Sequence, residues 1–128
     1  MSSTTALTIL YVNNPQTSAR FYLQIFDREP LEASPTFVMF KINDNMLLGL
    51  WSQHTMQPAT SATAGAMELA LPVASDTQVD TTYQNWKNAN IEGLQFIQPP
   101  TRMEFGYNFV AQDPDGHRLR IFHAADEN

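Results

Sequence analysis

The stretch Gln112-Asp113-Pro114-Asp115-Gly116-His117-Arg118-Leu119-Arg120-Ile121-Phe122 decides the fold. In Asp-Pro-Asp-Gly, Pro114 fixes φ where a tight turn needs it, and Gly116 accepts the positive φ that other residues resist. Beyond the turn, Arg118, Arg120 and Phe122 alternate with Leu119, Ile121 and His123. A period of two marks a strand with one face in an apolar core and the other face free. What stands on that free face, Arg120 above all, separates a metal enzyme from a binding protein.

Working outward from the turn, Tyr107 to Gln112 reads as a strand and Leu94 to Ile97 as a shorter one before it. Val79, Tyr83 and Trp86 share a helical face behind a Ser75-Asp76 cap, and Glu68 to Val73 reads as a strand. The first half runs in the same order. Thr8 to Val12 is a strand, and Asn13-Asn14-Pro15 signals a turn with Pro at the first helical position. Ser18, Phe21, Tyr22, Ile25 and Phe26 recur at helical spacing, which predicts an amphipathic helix over Pro15 to Phe26. Leu31 opens a short edge strand. Phe37 to Ile42 and Met46 to Trp51 flank the turn Asn43-Asp44-Asn45. Residues 54–65, rich in Thr, Ala, Ser and Pro, read as a linker.

Each half is strand, helix, then three strands, an internal duplication. The expected fold is α+β: two βαβββ modules, about residues 5–53 and 66–124, forming a curved mixed-sheet trough within a single domain. The helix covers one face of each sheet. The other face lines a concavity suited to a small molecule.

Composition narrows the function classes. A chain of 128 residues suits one domain with a sizeable core. Hydrophobic residues at 43% against 16% charged ones argue against disorder. No apolar run approaches a membrane span, and Met1-Ser2-Ser3-Thr4-Thr5 lacks the basic start of a signal peptide. The expected setting is the cytoplasm, with no membrane partner. Net charge is −6, and the seven Lys and Arg form no cluster that could neutralise several phosphates, which excludes nucleic acid as a partner. The absence of Cys excludes disulfides, thiolate metal sites and a Cys nucleophile.

The opening Tyr11-Val12-Asn13-Asn14-Pro15 through Ser18-Ala19-Arg20-Phe21-Tyr22 resembles the vicinal oxygen chelate superfamily, the glyoxalase/bleomycin-resistance/extradiol-dioxygenase group. So do the closing Asp113-Pro114-Asp115-Gly116-His117-Arg118-Leu119 and the paired halves. Phe21-Tyr22, Ile25-Phe26, Arg28-Glu29-Pro30, Ser34-Pro35, Phe37-Val38 and Leu50-Trp51-Ser52 are similar to its phenazine-antibiotic resistance members, which implies a drug-binding homodimer. The superfamily also contains isomerases, dioxygenases and thiol transferases, so the resemblance speaks to fold before activity.

In its metalloenzymes, His and Glu ligands come from the first and last strand of each half. The resemblance carries those positions to Leu7, Gly49, Glu68 and Arg120. Leu7 and Gly49 offer no donor, and Arg120 is permanently cationic and repels a metal ion. Glu68 alone cannot complete an octahedral or facial-triad set. His54 falls in the linker, and His117 and His123 lie on the face opposite Arg120; all three read as turn or surface residues. No metal and no cofactor are expected.

Parity sets Leu7, Ile9, Tyr11, Leu47, Gly49 and Trp51 on the trough face of the first half. In the second half it sets Glu68, Ala70, Pro72, Asn108, Val110, Gln112, Arg118, Arg120 and Phe122 there, with Tyr107 and Phe109 turned to the helix. A two-residue Asp44-Asn45 loop would set Phe40 across from Gly49. The expected ligand-binding residues are Trp51, Phe40, Tyr11, Glu68, Asn108, Arg120, Phe122 and Gly49. Trp51 would stack a flat ring, an offset arrangement worth ~0.5–1.5 kcal/mol beyond area burial, and Gly49 would leave room for it. Arg120 would pair with a ligand carboxylate. Glu68 would accept from an amine or hydroxyl, or pair with Arg120 in place of the lost metal. Trp51 serves core or interface packing equally well. No catalytic residue is expected, since no triad spacing, phosphate loop or paired carboxylates are readable. The expected function is non-catalytic binding and sequestration of a planar aromatic small molecule, an antibiotic of phenazine type. The alternative is a metal-dependent glyoxalase- or dioxygenase-type enzyme of the same fold.

Overall fold

The boundaries of both helices follow from Asn14-Pro15 and Ser75-Asp76. In the computed structural model, which describes residues 6–125, Asn14 Oδ1 accepts from the backbone N–H groups of Gln16 and Thr17 at 3.0 and 3.2 Å. These amides have no partner within the first helical turn, and Pro15 has no N–H to leave unpaired. Helix α1 runs Pro15–Phe26 and ends on Asp27 in the left-handed region at φ 53°. Ser75 caps α2, Asp76–Ala89, by accepting from Gln78 N–H at 3.1 Å. Asp76 in its first turn and Lys87 in its last complement the helix dipole. The reading of Met1-Ser2-Ser3-Thr4-Thr5 lies outside the described residues.

Chain order is β1 (Ala6–Val12), α1, β2 (Glu32–Ala33), β3 (Phe37–Asn43), β4 (Met46–Ser52), β5 (Glu68–Pro72), α2, β6 (Gln95–Met103), β7 (Gly106–Gln112) and β8 (Arg118–Ala124). The chain divides after Gly65 into two compact units. Each holds one helix and a four-stranded sheet, ordered β1-β4-β3-β2 in the first and β5-β8-β7-β6 in the second. β4 is parallel to β1 and antiparallel to β3, and β8 repeats this between β5 and β7. The architecture is α+β with βαβββ written twice. No helix among the described residues is long and apolar enough to cross a membrane.

In the first unit Leu10, Val12, Val38, Phe40, Leu48 and Leu50 are buried, as are Phe21 and Tyr22 of α1. In the second, Leu69, Phe109, Ala111, Leu119 and Ile121 are buried, as are Val79 and Trp86 of α2. Phe109 meets the rings of Tyr83 and Trp86 edge-on at 5.2 and 5.3 Å. Side chains of this size stabilise a core by about 1.5–3 kcal/mol each.

Two expectations are corrected here. Asn43 pairs with Met46, but Lys41 pairs with Leu47, so Ile42 is a bulge. One extra residue exchanges the faces of every residue before it. Met39 therefore faces Gly49, Phe37 faces Trp51, and Phe40 pairs with Leu48. Phe40 is 0% exposed with its ring 5.9 Å from Phe26 of α1, so it belongs to the core and not to the open face. Strand β6 also outruns its expected end at Ile97, passing through Pro99-Pro100 to Met103. It is the edge of its sheet, where a missing N–H need not break a ladder, and register shifts on both sides of Gln98 accommodate the prolines.

The Asp-Pro-Asp-Gly turn is held from Asp113. Its Oδ1 accepts from the backbone N–H of Asp115 and His117 at 2.8 and 2.9 Å, and its carbonyl accepts from Gly116 N–H at 3.0 Å. Gly116 takes φ 95°, as the turn requires. His117 corrects the surface reading: it is 2% exposed, and its Nδ1 accepts from Met67 N–H at 3.2 Å.

Candidate functional site

Opposite α1, the open face of the first sheet carries an aromatic row. Tyr11 and Phe37 are the register neighbours of Trp51 on either side. Trp51 is half-buried, and the Phe37 ring stands edge-on to it at 6.0 Å and 85°. Ile9, Gly49 and Met39 form the next row. A Cβ on Gly49 would lie 2.9 Å from both Cε1 and Cζ of Phe37. The missing side chain therefore makes room for a ring of the protein itself.

On the second sheet's open face, the centre is polar. Arg120 Nε and Nη2 donate to Glu68 Oε2 and Oε1 at 2.8 and 3.2 Å, and Nη1 donates to Asn108 Oδ1 at 2.6 Å. Asn108 Nδ2 donates in turn to the Thr101 carbonyl at 3.1 Å. Asn108 is fully buried, so it holds Arg120 in place instead of presenting itself. The Arg120 and Glu68 side chains are 20% and 37% exposed, leaving the pair within reach of solvent. Arg120 holds the Glu68 carboxyl below the usual carboxylate range by hydrogen bonding, against the opposing effect of burial, with further attraction from Arg118.

Phe105 was missed by the pattern. It occupies the β6–β7 turn, 44% exposed, with its ring 6.5 Å from Phe122 and 5.8 Å from the Arg120 guanidinium carbon. A large aromatic at a hairpin tip beside Gly106 was the available signal.

Tyr107 points to α2, as parity requires, and its hydroxyl donates to Asp80 at 2.7 Å. That bond to a carboxylate pushes the Tyr107 pKa up. Nearby, Asp76 accepts from Arg102 and, at 2.8 Å, from His123 Nδ1. His123 first and Arg102 second hold the Asp76 carboxyl below its usual range. His123 is thus a half-buried partner of the helix start, and His54 Nε2 meets Asn13 Oδ1 at 2.7 Å.

Among the described residues no group of three or more His, Cys, Asp or Glu is placed to hold a metal ion. At the four carried-over positions the one anionic donor, Glu68, is engaged by Arg120. These side chains do not fit a divalent ion held in the manner of the superfamily's metalloenzymes.

The profile of the Glyoxalase/Bleomycin resistance protein/Dioxygenase superfamily matches residues 4–121. Over 115 residues the chain is 30% identical to the phenazine antibiotic resistance protein EhpR of Enterobacter agglomerans, covering 90% of this chain and 88% of that one. A protein from Agrobacterium tumefaciens, solved in solution by NMR, has 48% identity and a TM-score of 0.80, with 94% and 96% of the two chains covered. A glyoxalase-related enzyme from Fulvimarina pelagi has 26% identity and a TM-score of 0.77, with 95% and 88% covered.

Proposed function

This chain belongs to the Glyoxalase/Bleomycin resistance protein/Dioxygenase superfamily, and on that premise we propose that it binds a planar aromatic small molecule, phenazine-like, and sequesters it without chemistry. The observation that carries this reading is the row Tyr11, Trp51, Phe37 on an open sheet face. A flat ring laid on Trp51 gains apolar burial and a favourable quadrupole contact, neither of which needs a reactive group. The likeness to a phenazine antibiotic resistance protein supports the same ligand class. So do the metal positions, where Arg120 ion-paired to Glu68 replaces a charge-binding centre with a self-neutralised one. Homodimeric assembly and a cytoplasmic setting are carried with this reading, the first measurable by sedimentation velocity.

Trp51 is half-buried and Trp86 is buried, so an aromatic ligand on the open face quenches mainly Trp51. Titration with phenazine and related tricyclic aromatics is expected to quench tryptophan emission, and Trp51→Phe to remove most of the response. No quenching by any member of the panel would sink the proposal. The similarity to a glyoxalase-related enzyme favours a second reading, metal-dependent catalysis. Elemental analysis of protein purified without chelators distinguishes them, because a stoichiometric divalent ion would overturn sequestration.

A further inference from the structure

We propose that the open face of the second sheet selects a neutral hydrogen-bonding substituent on its ligand and turns a carboxylate away. This rests on the aromatic-binding reading above and names the substituent that the second unit's sheet would admit. An arginine has five N–H donors. Glu68 takes the Nε and Nη2 edge with both carboxylate oxygens, and Asn108 takes a donor from Nη1. Of the two guanidinium edges that can grip a carboxylate bidentately, the Nε/Nη2 edge is therefore occupied by an internal one. A second carboxylate on the remaining N–H groups would stand beside Glu68, and two like charges in a partly buried place repel. A carbonyl or ring nitrogen accepts the same donor without that repulsion.

Across the sheet the register runs Ala70, Arg120, Val110, Gln98. Gln98 Oε1 is buried and, among the described residues, has no hydrogen-bond partner. A primary carboxamide accepts from an Arg120 N–H through its oxygen and brings no second charge to Glu68. Ala70 keeps the space next to Arg120 low, and Phe105 and Phe122 supply apolar surface beside the guanidinium for the ring that bears the substituent.

The test is calorimetric titration at neutral pH with three probes: phenazine, phenazine-1-carboxamide and phenazine-1-carboxylate. The carboxamide is expected to bind about tenfold more tightly than the carboxylate or better. In Glu68→Gln the carboxylate is expected to gain about tenfold, while the carboxamide shifts by less than about threefold. Carboxylate binding equal to or tighter than carboxamide binding in the unmodified protein overturns the inference, as does a carboxylate that gains nothing in a folded Glu68→Gln protein. If that variant does not fold, the ratio in the unmodified protein decides alone. If none of the three probes binds, the aromatic-binding reading fails and this inference falls with it; if phenazine binds without the ratio, only this inference fails.

Discussion

The bulge at Ile42 separates two phenylalanines that a regular hairpin would have exchanged, and paired truncations measure the separation. Phe40 is 0% exposed beneath α1, its ring 5.9 Å from Phe26. Phe40→Ala removes a whole ring from a packed core and leaves a cavity, a loss of about 3–5 kcal/mol. For a chain of this size each kcal/mol moves Tm by roughly 3–5 °C, so the melt falls by about 10–25 °C. Phe37 is half-buried on the opposite face, edge-on to Trp51. Phe37→Ala forfeits part of a ring's burial and one aromatic contact, about 1–2 kcal/mol. It also moves Trp51 emission to the red, which Phe40→Ala does not. Urea unfolding followed by circular dichroism gives the stabilities, and emission spectra of the folded variants give the environment of Trp51. If Phe37→Ala proves the costlier change, or Phe40→Ala the one that shifts Trp51 emission, the register argument is wrong.

Gly116 takes φ 95° in the turn before β8, so Gly116→Ala is expected to lose about 1–2 kcal/mol in thermal melts; a neutral result would refute the required conformation. Glu68 and Asp76 both have carboxyls held below their ordinary values, Glu68 by its hydrogen bonds from Arg120, Asp76 by those from His123 and then Arg102. Each therefore contributes stability that is full above the ordinary carboxylate range and is lost as pH falls through its lowered folded value. Urea midpoints measured across that acid range should fall less steeply in Glu68→Gln and in Asp76→Asn than in the parent, and parallel curves would exclude the ion pairs as the cause.

Much of the fold was legible because its signals are local. Asn14-Pro15 and Ser75 cap the helices through chemistry written in adjacent residues, and α1 spans Pro15–Phe26 as its spacing predicts. Period-two parity also brought Glu68 and Arg120 to one face and turned Tyr107 and Phe109 away from it. The misreadings share a different origin. Ile42 is β-branched and marks no break, so nothing in Phe37-Val38-Met39-Phe40-Lys41-Ile42 announces a bulge. The path of β6 through Pro99-Pro100 depends on its being an edge, a property of the sheet and not of the segment. His117 is buried because Met67, distant in sequence, brings an N–H to its Nδ1. Phe105 gained its place only when the hairpin tip came beside Arg120 and Phe122.

In both units the strand made last is inserted between strands made earlier: β4 between β1 and β3, β8 between β5 and β7. Its parallel pairings join residues far apart along the chain, Ala6 with Met46 and Glu68 with Arg118. As the polypeptide leaves the ribosome, β1 and then β5 must remain without their neighbours until nearly the whole unit has emerged. Such distant pairings fold slowly and leave strand edges open to wrong partners meanwhile. A chain cut short before β8 would not lose a margin of its sheet; it would sever β5 from the rest, and leave Glu68 a carboxylate without Arg120 to meet.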